Sequence, residues 1–323
     1  MLRILLLLLP LWLASALVLA QMDCPQIVQT ALDAADQLCQ QTGRNQACYG
    51  HIALTAELQA DAPNVAFQQP GDVVDVALVE SLRLNPLNEA AGEWGVALMN
   101  LQANLPDTLP GQNVTFLLFG DVEITNAVSP GDAGLQPMQA FYLRTGIGDA
   151  ACEEAPESGL LVQTPQGAGS VVFNVNGVDV EMGSTVFFQS DVEDGMTVST
   201  LEGAAYVSSV DGAQPILPGT WVRVHLNERL QAVGAPELPE SYERRLRLLQ
   251  NLPLRLLRRR IAIARPLTRR QLQFIRSRIR QELPLCGEEG LPSCEDHPFL
   301  AGLQQCLLVQ GPLCANRPGR RGG

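Results

Sequence analysis

Apolar and polar residues alternate in short runs through the middle of the chain, as they do in strands with one buried face. The clearest run is SVVFNVNGVDVEM at 170–182, where valine, phenylalanine and methionine occupy every second position on each side of Asn176-Gly177. Asn-Gly readily supplies the two positive-φ residues of a tight hairpin turn. The sequence therefore predicts a β-hairpin over these residues.

Other runs of strand-forming residues flank this hairpin and are separated by turn-forming pieces. They cover 73–79, 94–101, 114–124, 138–144, 184–189, 196–201, 204–209 and 220–226. So many short strands joined by turns predict a mainly β fold, arranged as a β-sandwich or a barrel-like roll. The similar pieces LPGQNVTF (109–116) and LPGTWVRV (217–224) leave open whether the two β regions arose by duplication.

The strands from residue 159 onward carry a recognisable order of short motifs. LLVQTPQGAG is followed by MGSTVFF, then by MTVSTLEGAAYV and finally by ILPGTWVRV. This block, roughly residues 159–227, resembles the FecR-type extracytoplasmic domain. The matching positions are Thr164, Pro165, Gly167, Gly183, Thr185, Phe187, Val198, Gly203, Val207, Leu217, Gly219 and Val222. Ser184 departs from the family, in which Gly and Thr are usually adjacent. The resemblance implies an exported all-β domain and does not imply iron-transport signalling.

Helical periodicity appears near the N-terminus, behind an apolar leader. The leader has Arg3 before an apolar run and small residues around Ala20, which is the layout of a cleaved signal peptide. A retained membrane anchor is the alternative. Residues 24–42 then carry apolar residues at helical spacing, with Pro25 suited to a first turn. We therefore expect a secreted or extracytoplasmic protein of the bacterial envelope, with an N-terminal helix and no transmembrane span in the mature chain.

A second helical pattern begins after a Pro-rich linker at 233–241, whose Ser241 is placed to cap a helix. The pattern is interrupted at Pro253 and continues after Pro266 in a stripe. This stripe consists of Leu272, Ile275 and Ile279. The whole chain thus divides into a signal peptide (1–20), a disulfide-pinned N-terminal helix and loop (21–58), an acidic β-rich region (59–158), a FecR-like β domain (159–232), the linker (233–241), a basic helical region with four cysteines (242–316) and a disordered tail (317–323).

Eight cysteines in an exported chain predict disulfide bonds. Cys24 and Cys39 lie at opposite ends of the predicted helix, about 22 Å apart at the usual helical rise and too far for a bond. Cys39 is instead expected to pair with Cys48 across the turn at Gly43, which leaves Cys24 for Cys152. The last four cysteines are expected to pair as Cys286–Cys294 and Cys306–Cys314, with crossed pairs as the alternative. Their seven-residue gaps do not suit structural zinc, even with His297 nearby.

Charge is unevenly distributed along the chain, whose net charge is −12. Residues 1–240 hold 6 Arg against 28 acidic residues, whereas residues 241–323 hold 16 Arg against 6. Basic amphipathic helices bind anionic surfaces or polymers, or they dock on the acidic body of their own protein; nucleic acid is the less expected partner. The candidate arginines for an anionic surface, an anionic polymer or an envelope protein are Arg244, Arg245, Arg247, Arg255, Arg258, Arg259, Arg260, Arg269 and Arg270.

The sequence carries few signs of catalytic chemistry. The sequence has no G-x-S-x-G, H-E-x-x-H, phosphate-binding or dinucleotide-binding motif and only three histidines, and no cofactor or metal site is predicted. The acidic groups Glu153–Glu154 and Asp191–Glu193–Asp194 are expected to be solvated turns. The sequence therefore favours a non-enzymatic binding or scaffolding protein. The alternatives are a hydrolase of an envelope polymer that uses acidic residues and a sensory partner of a membrane complex.

Overall fold

The fold consists of two large β-sheets and a third layer made of helices and irregular chain. The computed structural model describes residues 22–60, 62–63, 65–102, 113–128, 134–146, 152–165, 170–183 and 185–281. In these ranges the fold is mainly β with short helices at both ends, as the sequence predicts. No helix within them is long and apolar enough to cross a membrane.

The first sheet has nine strands. They are β1 (Gln46–His51), β3 (Val73–Asp75), β5 (Val96–Leu101), β6 (Val114–Phe119), β9 (Gly159–Gln163), β12 (Thr185–Asp191), β13 (Gly195–Glu202), β16 (Thr220–Val224) and β17 (Glu240–Ser241). The second sheet has eight strands. They are β2 (Leu54–Leu58), β4 (Val79–Leu84), β7 (Val122–Asn126), β8 (Ala140–Thr145), β10 (Val171–Val175), β11 (Val178–Met182), β14 (Ala205–Ser209) and β15 (Gly212–Ile216).

The strands follow chain order almost without exception in both sheets. The orders are β17-β16-β13-β12-β9-β6-β5-β1-β3 and β15-β14-β11-β10-β8-β7-β4-β2. The chain therefore alternates between the sheets, mostly hairpin by hairpin, while it advances along the sandwich. Since only the single strand β9 separates β8 from β10, those two strands run parallel. β6 pairs with β9, so the regions 59–158 and 159–232 share the same sheets instead of forming separate ones.

The space between the two sheets holds the main core. Side chains from both inner faces meet there, including Phe116, which packs edge-on against Phe141 and Phe173. The outer face of the eight-stranded sheet remains polar, because β10 and β11 bury only alternate residues. These strands form the predicted hairpin, with Asn176 and Gly177 at positive φ in its turn.

The outer face of the nine-stranded sheet is covered by a third layer. Helix α1 (Cys24–Leu38) lies over β1 and β5, and the C-terminal strap (residues 242–268) packs over β9, β12 and β13. The apolar residues of this layer and of the sheet beneath it form one cluster. It includes Ile27, Ala31, Leu117, Phe119, Leu161, Phe187, Leu201, Leu249, Leu256 and Leu257.

Two disulfide bonds fasten this third layer, and they join the pairs that the sequence predicts. Cys24–Cys152 links the start of α1 to the loop before β9, and Cys39–Cys48 links the end of α1 to β1. The helix ends at Leu38 and not at residue 42, because the chain turns at Cys39 to bring its sulfur to Cys48. The predicted loop after α1 is also partly wrong, since β1 and β2 lie within 39–58.

The C-terminal region differs most from the sequence-based expectation. Instead of a continuous helical pattern, the strap contains α2 (Leu246–Gln250) between 3-10 turns at Glu243–Arg245 and Leu254–Leu256, and then no helix until α3 (Arg269–Arg280). Ser241 lies in β17, and its Oγ accepts a 3.3 Å hydrogen bond from the Glu243 N–H. From Leu257 onward the strap lies extended because its backbone bonds to the sheet: Ala264 N–H donates to Leu201 O at 2.8 Å.

Several expectations fall outside the described residues. They are the signal peptide (1–20), the pairs Cys286–Cys294 and Cys306–Cys314, and the tail at 317–323. The predicted strand 114–124 is described, and it consists of two strands, β6 and β7, joined by a turn at Gly120, which has a φ of 80°.

Candidate functional site

The nine candidate arginines divide into two groups. One group of five contacts the body of the protein. Three of them form ion pairs with carboxylates: Arg247 with Glu153, Arg255 with Asp33 and Arg259 with Glu202. The other two donate to neutral groups: Arg245 to the Gln189 side chain, and Arg258 to the carbonyls of Gln40 and Thr42. The other group, Arg244, Arg260, Arg269 and Arg270, is exposed and has no partner among the described residues. The strap therefore docks on its own acidic body through about half of these arginines, and the rest face solvent.

A cleft of about 890 Å³ opens where the start of the strap meets the edge of the nine-stranded sheet. We call it the Trp221 cleft. Its walls are the loop after Cys152, the strands β13 and β16, and the strap. The residues that define it are Glu153, Glu157, Asp194, Trp221, Arg223, Arg244, Arg245 and Arg247. It brings three of the nine candidate arginines together with residues from elements remote in sequence.

The backbone register explains how Trp221 and Arg223 reach the cleft. In β16, Val222 and Val224 point into the main core, so Trp221 and Arg223 point to the outer face. Ser199 and Thr197 of β13 lie beside them in the pairing register. Among the described residues, only the two-residue strand β17 lies beyond β16, so both side chains lie near the edge of the sheet.

Arg245 is the central side chain of the cleft. Its guanidinium carbon lies 4.9 Å from the centroid of the Trp221 ring, and that of Arg223 lies 5.6 Å from the same ring. One Arg245 nitrogen donates to Gln189 Oε1, whose amide also donates to Glu157 (3.2 Å) and to the Ser158 carbonyl (3.1 Å). The Arg245 position is thus fixed by an aromatic ring on one side and an amide on the other.

The charge of Arg245 is incompletely compensated. Its Nη1 atom is buried and has no hydrogen-bond partner among the described residues, and no carboxylate forms an ion pair with it there. Burial lowers the pKa of the guanidinium, the charge of Glu157 opposes that shift, and Arg223 adds to it. Because arginine stays protonated in proteins, this site holds a partly desolvated cation.

The acidic residues near the cleft are mostly engaged. Glu153 pairs with Arg247, and Glu157 accepts from Gln189. Asp191 accepts the N–H groups of Glu193 and Asp194 in a turn, which agrees with the expected solvated turn. Within the described ranges, no three His, Cys, Asp or Glu side chains lie close enough together to hold a metal ion.

Sequence reasoning missed Trp221, Arg223 and Gln189 as site residues. The alternation in TWVRVHL does place Trp221 and Arg223 on the face opposite the core valines. It does not show that a basic segment from the C-terminal part would pack beside them. Gln189 gives no signal in the sequence, because its role depends on contacts with both Glu157 and Arg245.

Comparisons with known proteins identify no family. No family model matches the chain, and no curated protein matches it. Two crystal structures of a protein assigned as an anti-sigma factor, from Parabacteroides distasonis ATCC 8503, resemble 45% of the chain at 13% sequence identity, each with a TM-score of 0.28. The aligned part spans 55% of the other chain in one crystal structure and 60% in the second. A likeness of this degree carries no argument about function.

Proposed function

We propose that this protein is a non-enzymatic, extracytoplasmic binding protein of the bacterial envelope that holds an anionic polymer in the Trp221 cleft. The observation that carries the proposal is Arg245, a partly desolvated guanidinium with a buried, unpartnered nitrogen and no carboxylate paired to it. Glu157 acts on this cation without forming an ion pair with it, so the charge stays incompletely compensated, and an anionic ligand group would reduce the cost of burying it.

The surroundings of Arg245 support a polymer as the ligand. Arg223 and Arg244 line the same cleft, and neither forms an ion pair with a described residue. Outside the cleft, the exposed Arg260, Arg269 and Arg270 extend the positive surface along the strap and α3. A chain of regularly spaced anionic groups can contact both the fixed cation and these flexible ones.

The extracytoplasmic location rests on separate support. The leader has the layout of a signal peptide, and the two disulfides are typical of an oxidising compartment. N-terminal sequencing of the exported protein should begin at Gln21.

The FecR-type identity of residues 159–227 is part of the same proposal. Its motif residues have structural roles here, since Phe187, Val198 and Val222 are buried, and Gly203 and Gly219 adopt positive φ.

Binding to a heparin decasaccharide, used as a stand-in polyanion, tests this proposal on the full mature chain. We expect binding at low ionic strength that weakens steeply with salt, because exposed charges are screened. Arg245→Gln should weaken it about tenfold or more, as expected for one lost charge-assisted hydrogen bond. Arg83→Gln, the same substitution on the opposite sheet, is the control and should bind as the wild type does. Undiminished binding by a folded Arg245→Gln variant would refute the assignment.

A hydrolase is the second candidate, because the cleft does bring Glu153, Glu157 and Asp194 together. Two of these three carboxylates are already engaged by Arg247 and Gln189, which favours binding over catalysis. Turnover of an acidic envelope polymer that is lost in Glu157→Gln and retained in Arg83→Gln would reverse that preference. The sensory alternative rests on the FecR resemblance alone, and fold resemblance is a weak argument for function.

A further inference from the structure

A second cleft, of about 650 Å³, lies at the other end of the covered face of the nine-stranded sheet. Its floor is a row of polar side chains at paired positions on neighbouring strands. On the floor the row consists of Asn100, Thr115 and Gln163, and Thr185 continues it beyond the cleft on β12. Thr115 Oγ1 bonds Asn100 Oδ1 at 3.2 Å, and Gln163 Nε2 bonds Thr185 Oγ1 at 3.2 Å. We call this the Thr115 cleft.

The wall of the Thr115 cleft is built by the strap and by the chain after α1. The Gln163 amide accepts from Arg259 N–H (2.8 Å) and donates to Arg259 O (2.9 Å), which fixes the strap to β9. Arg258 donates to the carbonyls of Gln40 and Thr42, both at 3.1 Å. The cleft is therefore preformed by hydrogen bonds, and its volume lies in the range of small-molecule sites.

The lining of the Thr115 cleft differs from that of the Trp221 cleft. None of the described residues that line the Thr115 cleft is acidic or aromatic. Three of them are arginines: Arg44, Arg258 and Arg259. Side-chain amides and threonine hydroxyls make up most of the rest. An amide presents both donors and acceptors, so it matches hydroxyl groups. Arg259 is paired with Glu202, and Arg258 is held by two backbone carbonyls. Arg44 contacts only the Gln102 amide oxygen among the described residues (3.4 Å) and forms no ion pair there, so it favours a negative charge on the ligand.

Two buried polar atoms in this cleft have no hydrogen-bond partner among the described residues. They are the acceptor Asn113 Oδ1 and the donor Arg259 Nε. Buried polar atoms are nearly always paired, so each indicates a missing partner. A hydroxyl group donates and accepts at the same time, so a polyhydroxylated ligand can satisfy both kinds of atom.

We propose that the Thr115 cleft binds an acidic saccharide, whose hydroxyl groups pair with the amides and whose carboxylate faces Arg44. The absence of aromatic residues from the described lining disfavours a ligand with a planar base, such as a nucleotide, which needs a stacking partner. This site is independent of the proposed function of the Trp221 cleft, because no residue in the described part of the chain lines both.

Isothermal titration of the full mature chain with trigalacturonic acid, its neutral methyl ester and inorganic phosphate tests this inference. We expect the acid to bind and the ester to bind about tenfold more weakly. Asn113→Ala should weaken both sugars about tenfold while leaving the melting temperature unchanged, because the Asn113 carbonyl makes no internal bond. Arg44→Gln should reduce binding of the acid to the level of the ester.

Two control variants test whether the sugar binds in the Thr115 cleft and not elsewhere on the protein. Arg83→Gln removes an exposed arginine, paired with Glu123, from the opposite sheet and should change nothing, and Arg245→Gln should impair only heparin binding. Failure of trigalacturonic acid to bind would overturn the proposal, as would binding that is unaffected by both Asn113→Ala and Arg44→Gln. Phosphate that displaces the sugar at comparable concentration would show a simple anion site and would equally overturn it.

Discussion

The two sheets of this protein have different burial patterns, although they share one chain and one core. Strand β6 in the nine-stranded sheet reads VTFLLF and is buried at every position, whereas β11 in the eight-stranded sheet reads VDVEM and buries every second residue. The nine-stranded sheet is covered on both faces, by the other sheet and by α1 with the strap. The continuous apolar sequence of a strand such as β6 therefore indicates that a third layer covers the outer face of its sheet.

The largest difference should come from matched aromatic truncations on the two outer faces. Phe187, on β12, is fully buried beneath the strap and stacks on Phe119 with centroids 6.1 Å apart, whereas Tyr142, on β8, is only partly buried. Phe187→Ala should lower the free energy of unfolding by about 3–5 kcal/mol, and Tyr142→Ala by about 1 kcal/mol or less. Urea unfolding of both variants measures this, and equal losses would mean that the two outer faces are alike.

The disulfides give the next effect, since both lie on the covered side of the nine-stranded sheet. Cys24 and Cys152 are 128 residues apart, and Cys39 and Cys48 only 9. Chain-entropy arguments give upper limits of about 5 and about 3 kcal/mol for the two bonds. Replacing both cysteines of the first pair with serine should therefore cost more stability than doing so for the second, as measured by urea unfolding. The reverse order would indicate that α1 is not held by Cys152.

Alanine substitutions at Gly219 and Gly234 distinguish the loss of stability caused by a clash with the strap from the loss caused by positive φ alone. Both have positive φ, 88° and 77°, but a Cβ on Gly219 would lie 2.3 Å from the Arg265 carbonyl of the strap, and one on Gly234 would meet nothing within 4 Å. Gly234→Ala should cost about 1 kcal/mol and Gly219→Ala at least twice as much. Thermal melts compare the two, and similar losses would argue against a strap packed on Gly219.

The smallest effect concerns His51, buried on β1 with its Nδ1 3.0 Å from the Trp94 carbonyl. Burial lowers its pKa below the usual 6.5, partly offset by Trp94 and Glu93. The unfolded chain then binds a proton at His51 more readily than the folded one. The contribution of His51 to the free energy of unfolding is therefore complete above pH 6.5 and is lost as pH falls through the pKa of His51 in the folded protein. Urea unfolding between about pH 7.5 and 5 should show this slope, and His51→Asn should remove much of it. Asp33 and Asp72, whose pKa values are also lowered, titrate below this window.

Much of the fold was predictable from local signals. Asn176-Gly177 specifies its hairpin because few other pairs adopt positive φ twice without strain. The length of α1 separates Cys24 from Cys39 and so restricts the pairs they can form. Gly203 and Gly219 mark chain reversals in the sequence and have positive φ in the structure.

The remaining features depend on contacts between distant segments. After Leu257 the strap lies extended across the sheet because the Gln163 side chain bonds the Arg259 backbone. These two residues are 96 positions apart, and nothing in the local sequence of either predicts the contact. The same holds for the Trp221 cleft, where Arg245 packs on a strand ring. The helical spacing of leucines from 242 onward predicts more helix than forms, since Leu256 and Leu257 are both buried in the cluster under the third layer and no helix follows them until Arg269.

Hydrogen–deuterium exchange along the strap of the intact protein tests the third layer most directly. The amides of Arg259, Ala264 and Leu267 donate to Gln163 Oε1, Leu201 O and Gly219 O, at 2.8, 2.8 and 3.3 Å. These amides should therefore exchange far more slowly than those of an unstructured chain, although the segment contains no helix at these positions. Exchange of all three at the rate of an unstructured peptide would contradict the account, because the nine-stranded sheet would then lack its cover.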